Sequence, residues 1–277
     1  MKKITCLLSV CALSLGLSAC GNDEADIKKT ESKKGVKIGA TTGPYADMAI
    51  EAIQPGLEDL GYKVDIVEYS DYIQPNKALA NGSIDANLFQ HKVYMDHFAQ
   101  EHALELSDLI IVPTAPMGIY SKEIESLADI KDGATIAVPN DPVNLARALN
   151  LLLDEELIEV NPDVDPVTIS EKDVTKNPKN IVFKPLELAQ LPRATDSVDL
   201  SAIPGNFAIA ARMDLQHALV LEDMPDTYRN VVAVNTKDID AQFAKDIQSV
   251  VKGAEFEKVI DSKFPGFEKP EWMKEDR

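Results

Sequence analysis

The sequence predicts an α/β protein with mostly parallel sheets, because short apolar runs alternate with segments of helical spacing. Val36 to Ala40 has the pattern of a strand, Tyr45 to Leu60 has helical periodicity up to Gly61, and Lys63 to Glu68 alternates as a second strand. This order is a βαβ unit, in which the two strands run parallel and the helix covers one face of the sheet.

Further runs continue the alternation along the chain. The other predicted strands are Ser83 to Leu88, Leu109 to Val112, Thr135 to Val138, Asn180 to Phe183, Val198 to Ile203 and Val231 to Val234. The other predicted helices are Lys92 to His102, Pro142 to Leu153 and Ala241 to Lys252. Such a pattern favours sheets covered on both faces, with ligands beyond the carboxyl ends of the strands or between domains.

The length of the chain allows two lobes, although one large domain is the alternative. The predicted strands that begin at Leu109 and Val231 are the expected crossovers, since each lies where the pattern changes beside Pro or Asn. We expect residues 36–115 with 232–277 to form lobe 1 and residues 116–231 to form lobe 2.

The N-terminus has the features of an export signal. Lys2 and Lys3 precede an apolar run, Ile4 to Leu17, that is too short to cross a bilayer as a helix. The run ends in Leu17-Ser18-Ala19-Cys20, which resembles the bacterial lipobox, whose Cys is acylated and becomes the mature N-terminus. We expect a signal peptide over residues 1–19 and a lipid anchor on Cys20. An ordinary signal peptide with an incidental Cys is the alternative.

Composition constrains the mature chain further. Cys6 and Cys11 lie in the predicted signal peptide, so Cys20 is the only Cys that remains and no internal disulfide can form. Loss of Lys2 and Lys3 changes the formal charge from −18 to −20 (−18 − 2), which disfavours nucleic-acid binding. Residues 20–35 are polar and predict a flexible tether after the lipid anchor. Signal peptide and anchor together predict a protein held on a membrane, facing the periplasm or the cell exterior.

A strand, a loop and a helix meet at Pro139. Asp141 is placed as the helix cap and Pro142 as the first helical residue, so the helix start is well specified. Free N–H groups at a helix start favour an anion, and Asn144 and Arg147 lie three apart on the same face. Together they predict a carboxylate site, with Arg147 able to donate two parallel hydrogen bonds. The alternative is that Arg147 pairs with one of the many Asp and Glu residues.

Aromatic residues are concentrated in the segment from Tyr72 to Tyr94. Phe89, His91 and Tyr94 directly follow a predicted strand, where ligands commonly bind, and Tyr72 lies shortly before it. These residues predict a ligand pocket, with a core helix that has an aromatic face as the alternative.

Metal and catalytic motifs are not visible. The spacing of His91, His97 and His102 with Asp96 and Glu101 matches no ligand pattern such as H-E-x-x-H, so no metal is expected. The sequence has no Gly-rich phosphate loop, G-x-S-x-G elbow or paired Cys motif, so we expect neither an enzyme nor a cofactor.

Six motifs together carry a resemblance that covers nearly all of the mature chain. They are Asp71-Tyr72-Ile73-Gln74-Pro75-Asn76-Lys77-Ala78-Leu79, Ile84-Asp85-Ala86-Asn87-Leu88-Phe89-Gln90-His91, Val138-Pro139-Asn140-Asp141-Pro142, Asn177-Pro178-Lys179-Asn180, Gln190-Leu191-Pro192-Arg193 and Gly205-Asn206-Phe207-Ala208. The chain thereby resembles substrate-binding lipoproteins of the NlpA family, and most closely the methionine-binding components of bacterial ABC importers. The resemblance implies a two-lobed periplasmic-binding-protein fold with the ligand between the lobes.

The resemblance also implies a ligand, partners and roles for particular residues. The ligand is L-methionine or a related amino acid, and the partners are an ABC importer's permease and ATPase. Tyr72, Phe89, His91 and Tyr94 would form the side-chain pocket, Arg147 with Asn144 would bind the α-carboxylate, and Asn206 with Asn230 would surround the ammonium.

One position departs from the family pattern and leaves the ligand open. Methionine-binding relatives commonly have Asn where this chain has Pro204, so one contact is absent or moved to Asn206. The alternative function belongs to a different class. It is that of a surface-displayed adhesin or interaction lipoprotein that uses the same fold without a small ligand.

Overall fold

The computed structural model describes residues 35–274; the predicted signal peptide, Cys20 and the predicted tether before Gly35 lie outside this range. The strands are β1 (Gly35–Thr41), β2 (Lys63–Tyr69), β3 (Ala86–His91), β4 (Leu106–Ile111), β5 (Gly118–Tyr120), β6 (Thr135–Pro139), β7 (Glu159–Val160), β8 (Val174–Lys176), β9 (Val182–Leu186), β10 (Leu200–Ile203), β11 (Val220–Leu221) and β12 (Asn230–Asn235). The helices are α1 (Pro44–Met48), α2 (Gln54–Asp59), α3 (Gln74–Ala80), α4 (Lys92–His102), α5 (Pro142–Asp154), α6 (Leu191–Ala194), α7 (Gly205–Ala210), α8 (Gln242–Val251), α9 (Ala254–Lys263) and α10 (Glu271–Lys274).

Two five-stranded sheets form the framework. The first has the order β2-β1-β3-β12-β4 and the second has the order β11-β5-β10-β6-β9. In the first sheet β12 pairs antiparallel with both of its neighbours, and in the second β5 does the same. The remaining strands of each sheet therefore point one way, which confirms the predicted α/β class with mostly parallel sheets.

Each sheet has its own apolar core. Ile38, Leu88 and Val232 of the first sheet are fully buried in one cluster with Met48 and Ile53. Ile119, Ile136 and Leu200 of the second sheet form a separate cluster with Leu149 and Leu152 of α5. Burying a Leu or Ile side chain contributes about 1.5–3 kcal/mol, so each cluster stabilises the sheet and helices that form it. We call the first sheet with its helices lobe 1, and the second lobe 2.

The chain passes between the sheets twice. It leaves the first sheet after β4 and returns to it at β12, and these two strands overlap with the strands predicted as crossovers. The residue limits of the two lobes given by the sequence stay a prediction. Within residues 35–274, no helix has both the length and the apolar character that a bilayer crossing requires.

Several predicted elements need a correction. The strand predicted at Ser83 to Leu88 begins at Ala86, because the preceding Asn81–Gly82 turn uses the next residues and β1 pairs with β3 from Ala86 onward. The helix predicted from Tyr45 to Leu60 includes a π-helical turn, Ala49–Ile53, just before Pro55, which has no N–H to donate.

Candidate ligand-binding site

The predicted site residues come together where the two lobes face each other. His91 ends β3 of lobe 1, and α5 of lobe 2 begins at Pro142. The Asp141 carboxylate caps α5 by accepting the Asn144 N–H at 2.9 Å. Such a cap is worth about 1 kcal/mol, and it fixes the first turn that carries Asn144 and Arg147.

Arg147 forms a buried ion pair with Glu222. Its Nε donates to Glu222 Oε2 at 2.8 Å, and its Nη2 donates to Oε1 and lies 3.5 Å from Met224 Sδ. The two side chains are only 5% and 8% exposed. Burial opposes the charge on Arg147, but the Glu222 carboxylate outweighs it and raises the pKa of the guanidinium. Arg147 is therefore a permanent cation at the site.

Beyond Glu222 and Met224, the Arg147 guanidinium contacts an aromatic ring. Its Cζ lies 5.5 Å from the centre of the Tyr228 ring, within the range of a cation–π contact. No residue in the described range 35–274 accepts a hydrogen bond from Arg147 Nη1. The two N–H groups of Nη1 therefore have no acceptor among the described residues.

His91 is part of a hydrogen-bonded chain that joins the lobes. Its Nδ1 accepts the Tyr94 N–H at 3.1 Å, so its proton lies on Nε2, which donates to Asn144 Oδ1 at 3.2 Å. The Asn144 amide in turn donates to both oxygens of Asp141. Burial, together with the charge of Arg147, lowers the pKa of His91 to about 3, so the ring is neutral at physiological pH.

The predicted aromatic residues form one group. The Tyr72 ring lies 5.1 Å from Phe89 and 5.6 Å from Tyr94, in edge-to-face geometry. Phe207 of lobe 2 lies 5.4 Å from Tyr72 and completes the group. Its members contribute apolar surface and ring faces, the features that suit an aliphatic or thioether side chain.

The two predicted Asn contacts differ in their surroundings. Asn206 Oδ1 accepts from the Tyr72 hydroxyl at 3.2 Å, which is a second link between the lobes. Asn230 is the first residue of β12 and lies opposite His91 in the sheet. Pro204 caps α7 through its carbonyl, which accepts the Phe207 and Ala208 N–H groups. The hydrogen bond to lobe 1 is made two residues later, by the Asn206 side chain.

Polar residues in two of the six motifs that carried the resemblance form a buried hydrogen-bond network. Asn76 and Gln90 form a reciprocal amide pair at 2.7 Å in both directions, and Asn87 donates to Asn76 Oδ1 at 2.9 Å. All three side chains are fully buried. This network joins α3 to β3 and so fixes the strand end that carries Phe89 and His91.

Three residues that contact the predicted site residues were not predicted from the sequence. Glu222 and Tyr228 are 75 and 81 residues from Arg147 along the chain, and only the fold brings them to it. Phe207 lay within a quoted motif but was not assigned to the pocket. A cavity of about 620 Å³ shares Phe207 with the aromatic group, although none of the predicted ligand residues lines it.

Two α/β lobes that meet at a site with a buried cation, neutral amides and an aromatic group define a substrate-binding protein of the periplasmic type. The NlpA lipoprotein family matches residues 36–272, and the chain belongs to this family. It is 34% identical over 256 residues to the D-methionine-binding lipoprotein MetQ of Salmonella typhi, covering 91% of this chain and 92% of that one. It is 33% identical to the MetQ of Escherichia coli K12, with the same coverage.

The fold is also that of a solved relative. A nutrient-binding protein from Burkholderia cenocepacia, solved bound to methionine, matches with a TM-score of 0.80 at 34% identity. The match covers 83% of this chain and 97% of the relative. The expected two-lobed architecture is thereby confirmed.

Proposed function

We propose that this chain captures L-methionine or a related amino acid between its lobes and delivers it to an ABC importer. The observation that carries the proposal is Arg147, a buried cation with two free N–H groups beside an aromatic group that spans both lobes. The names of the MetQ relatives and the methionine bound to the Burkholderia protein support the same ligand. The chain binds and releases its ligand without chemical change.

The carboxylate end of the ligand would lie at α5. Arg147 Nη1 supplies two donors there, and Asn144 lies one helical turn earlier on the same face. The charge of Arg147 is permanent, so its Nη1 N–H groups can donate to a carboxylate at every physiological pH. Because Arg147 belongs to lobe 2, a ligand bound to it and to the aromatic residues of lobe 1 would stabilise the closed arrangement.

The other end of the ligand would lie among Tyr72, Phe89, His91 and Tyr94. A thioether gains from contacts with aromatic rings, and the neutral His91 adds no charge that would oppose an apolar side chain. Asn206 and Asn230 carry amide oxygens suited to an ammonium group. Asn206 Oδ1 already accepts from Tyr72, so only its second lone pair remains for the ligand.

We also propose that Cys20 carries the lipid anchor and that the protein faces the outside of the cell membrane beside its permease. Its MetQ relatives are named lipoproteins, which supports an anchor at the predicted lipobox. A tethered binding protein reaches the permease at high effective concentration without a strong docking interface.

A binding screen tests the proposal. Thermal shift with both enantiomers of all amino acids, followed by calorimetry, should identify methionine or a near relative as the stabilising ligand. Arg147→Lys keeps a cation beside Glu222 but loses the two-donor geometry, so affinity should fall on the order of 10- to 100-fold. Arg193→Lys, at an exposed position on the neighbouring cavity, is the matched control. A protein that no amino acid stabilises would instead support a surface interaction role.

A further inference from the structure

Glu222 is a buried carboxylate that the proposed ligand contacts do not use. Its Oε1 accepts from Arg147 Nη2 and from the Met117 N–H, and its Oε2 accepts from Arg147 Nε at 2.8 Å. The backbone donor anchors Glu222 to the start of lobe 2 in the chain, so its position does not depend on Arg147 alone. The carboxylate is therefore a fixed part of the site.

The charge balance at this position follows from these contacts. Arg147 and Glu222 cancel, and His91 is neutral. Asp141 is the next carboxylate, but it accepts hydrogen bonds from Asn144 and lies at the start of α5, where the helix dipole compensates a negative charge. The site as a whole thus has donors for a carboxylate and yet lacks an uncompensated positive charge.

We propose that Glu222 is the residue that makes this site selective for zwitterions over simple carboxylates. This inference rests on the proposed function, since it assumes that Arg147 receives the ligand's carboxylate. Without Glu222, Arg147 would be an isolated buried cation. Any monoanion could then neutralise it, and it would repel the ammonium group of a ligand. With Glu222 present, a ligand gains most when it brings one charge of each sign.

The size of the effect follows from Coulomb's law. A unit charge about 6 Å from a ligand charge, at an effective dielectric constant of about 20, changes affinity on the order of 100-fold. Removing the charge of Glu222 should strengthen binding of an anion and weaken binding of a cation by this factor. For a zwitterion the two changes oppose each other, so its affinity should change by less than about tenfold.

Calorimetry with three matched ligands tests the inference. They are L-methionine, its des-amino anion 4-(methylthio)butanoate and its carboxylate-free cation methioninol. In Glu222→Gln we expect the anion to gain, the cation to lose and L-methionine to change least. Glu222→Asp keeps the charge and should keep the wild-type order. Glu268→Gln removes a carboxylate from another buried Arg, Arg229, which retains Asp226, and it is the matched control.

Each outcome decides the matter. An equal change for all three ligands in E222Q would assign Glu222 a merely structural role and overturn the inference. If the wild type binds no methionine but E222Q acquires carboxylate binding, the proposed ligand is wrong and the charge role of Glu222 stands. If neither variant binds any of the three ligands, both proposals fail. Should E222Q not fold, a wild type that binds the des-amino anion more tightly than L-methionine contradicts the inference.

Discussion

Removal of Arg147 tests how far the buried ion pair stabilises the protein. In Arg147→Ala, Glu222 retains only the Met117 N–H as a donor, at a position where its side chain is 8% exposed. Removing one partner of a buried pair costs about 3–5 kcal/mol, because the other charge is left uncompensated. We expect this loss in the free energy of unfolding for R147A, and a similar loss for Glu222→Ala.

The assay is a double-mutant cycle measured by urea unfolding at neutral pH. The R147A/E222A double variant contains no isolated charge, so it should be more stable than the sum of the two single losses predicts, by about 2 kcal/mol or more. The exposed pair of Lys176 and Glu159 is the control and should show no resolvable coupling. Additive losses at Arg147 and Glu222 would refute the reasoning.

Three further predictions concern the groups around the site. The pKa of His91 is lowered from 6.5 to about 3, so the unfolded chain binds more protons than the native state in this range and stability falls as pH falls from 6.5 toward 3. His91→Gln should reduce that slope by about 1.4 kcal/mol per pH unit between pH 4 and 6, as measured by urea unfolding; an unchanged slope would contradict a neutral, buried His91. Asn76→Ala leaves the buried amides of Asn87 and Gln90 short of partners and should cost about 2–4 kcal/mol in the same assay; a loss below about 1 kcal/mol would contradict the network. Asp141→Ala removes the cap of α5 and should cost about 1 kcal/mol, while Asp141→Asn should retain most of it.

Elements with strong local signals were predictable from the sequence. The helix predicted at Lys92 to His102 has those limits in the structure, and α5 begins at Pro142 as its cap and Pro required. In contrast, β5 has only three residues, too few to show a period. It exists because lobe 2 pairs it with β10, which is a long-range effect.

The residues of the candidate site could be proposed from the sequence, but the contacts between them could not. Residue types and spacing made Arg147, His91 and Tyr72 candidates, and the family resemblance assigned them to a ligand site. The fold brings all three to the facing edges of the lobes. That Arg147 already pairs with Glu222 was the open alternative, and the sequence could not identify which of many acidic residues would be the partner. The same holds for Tyr228, since a cation–π contact leaves no local pattern.

A crystal structure of the protein grown with L-methionine tests the central claim most directly. We predict the α-carboxylate within hydrogen-bond distance of Arg147 Nη1, the Glu222 carboxylate still on Nε, and the thioether among Tyr72, Phe89 and Tyr94. Methionine bound in the neighbouring cavity that Arg193 lines, or no methionine between the lobes at saturating concentration, would contradict the assignment.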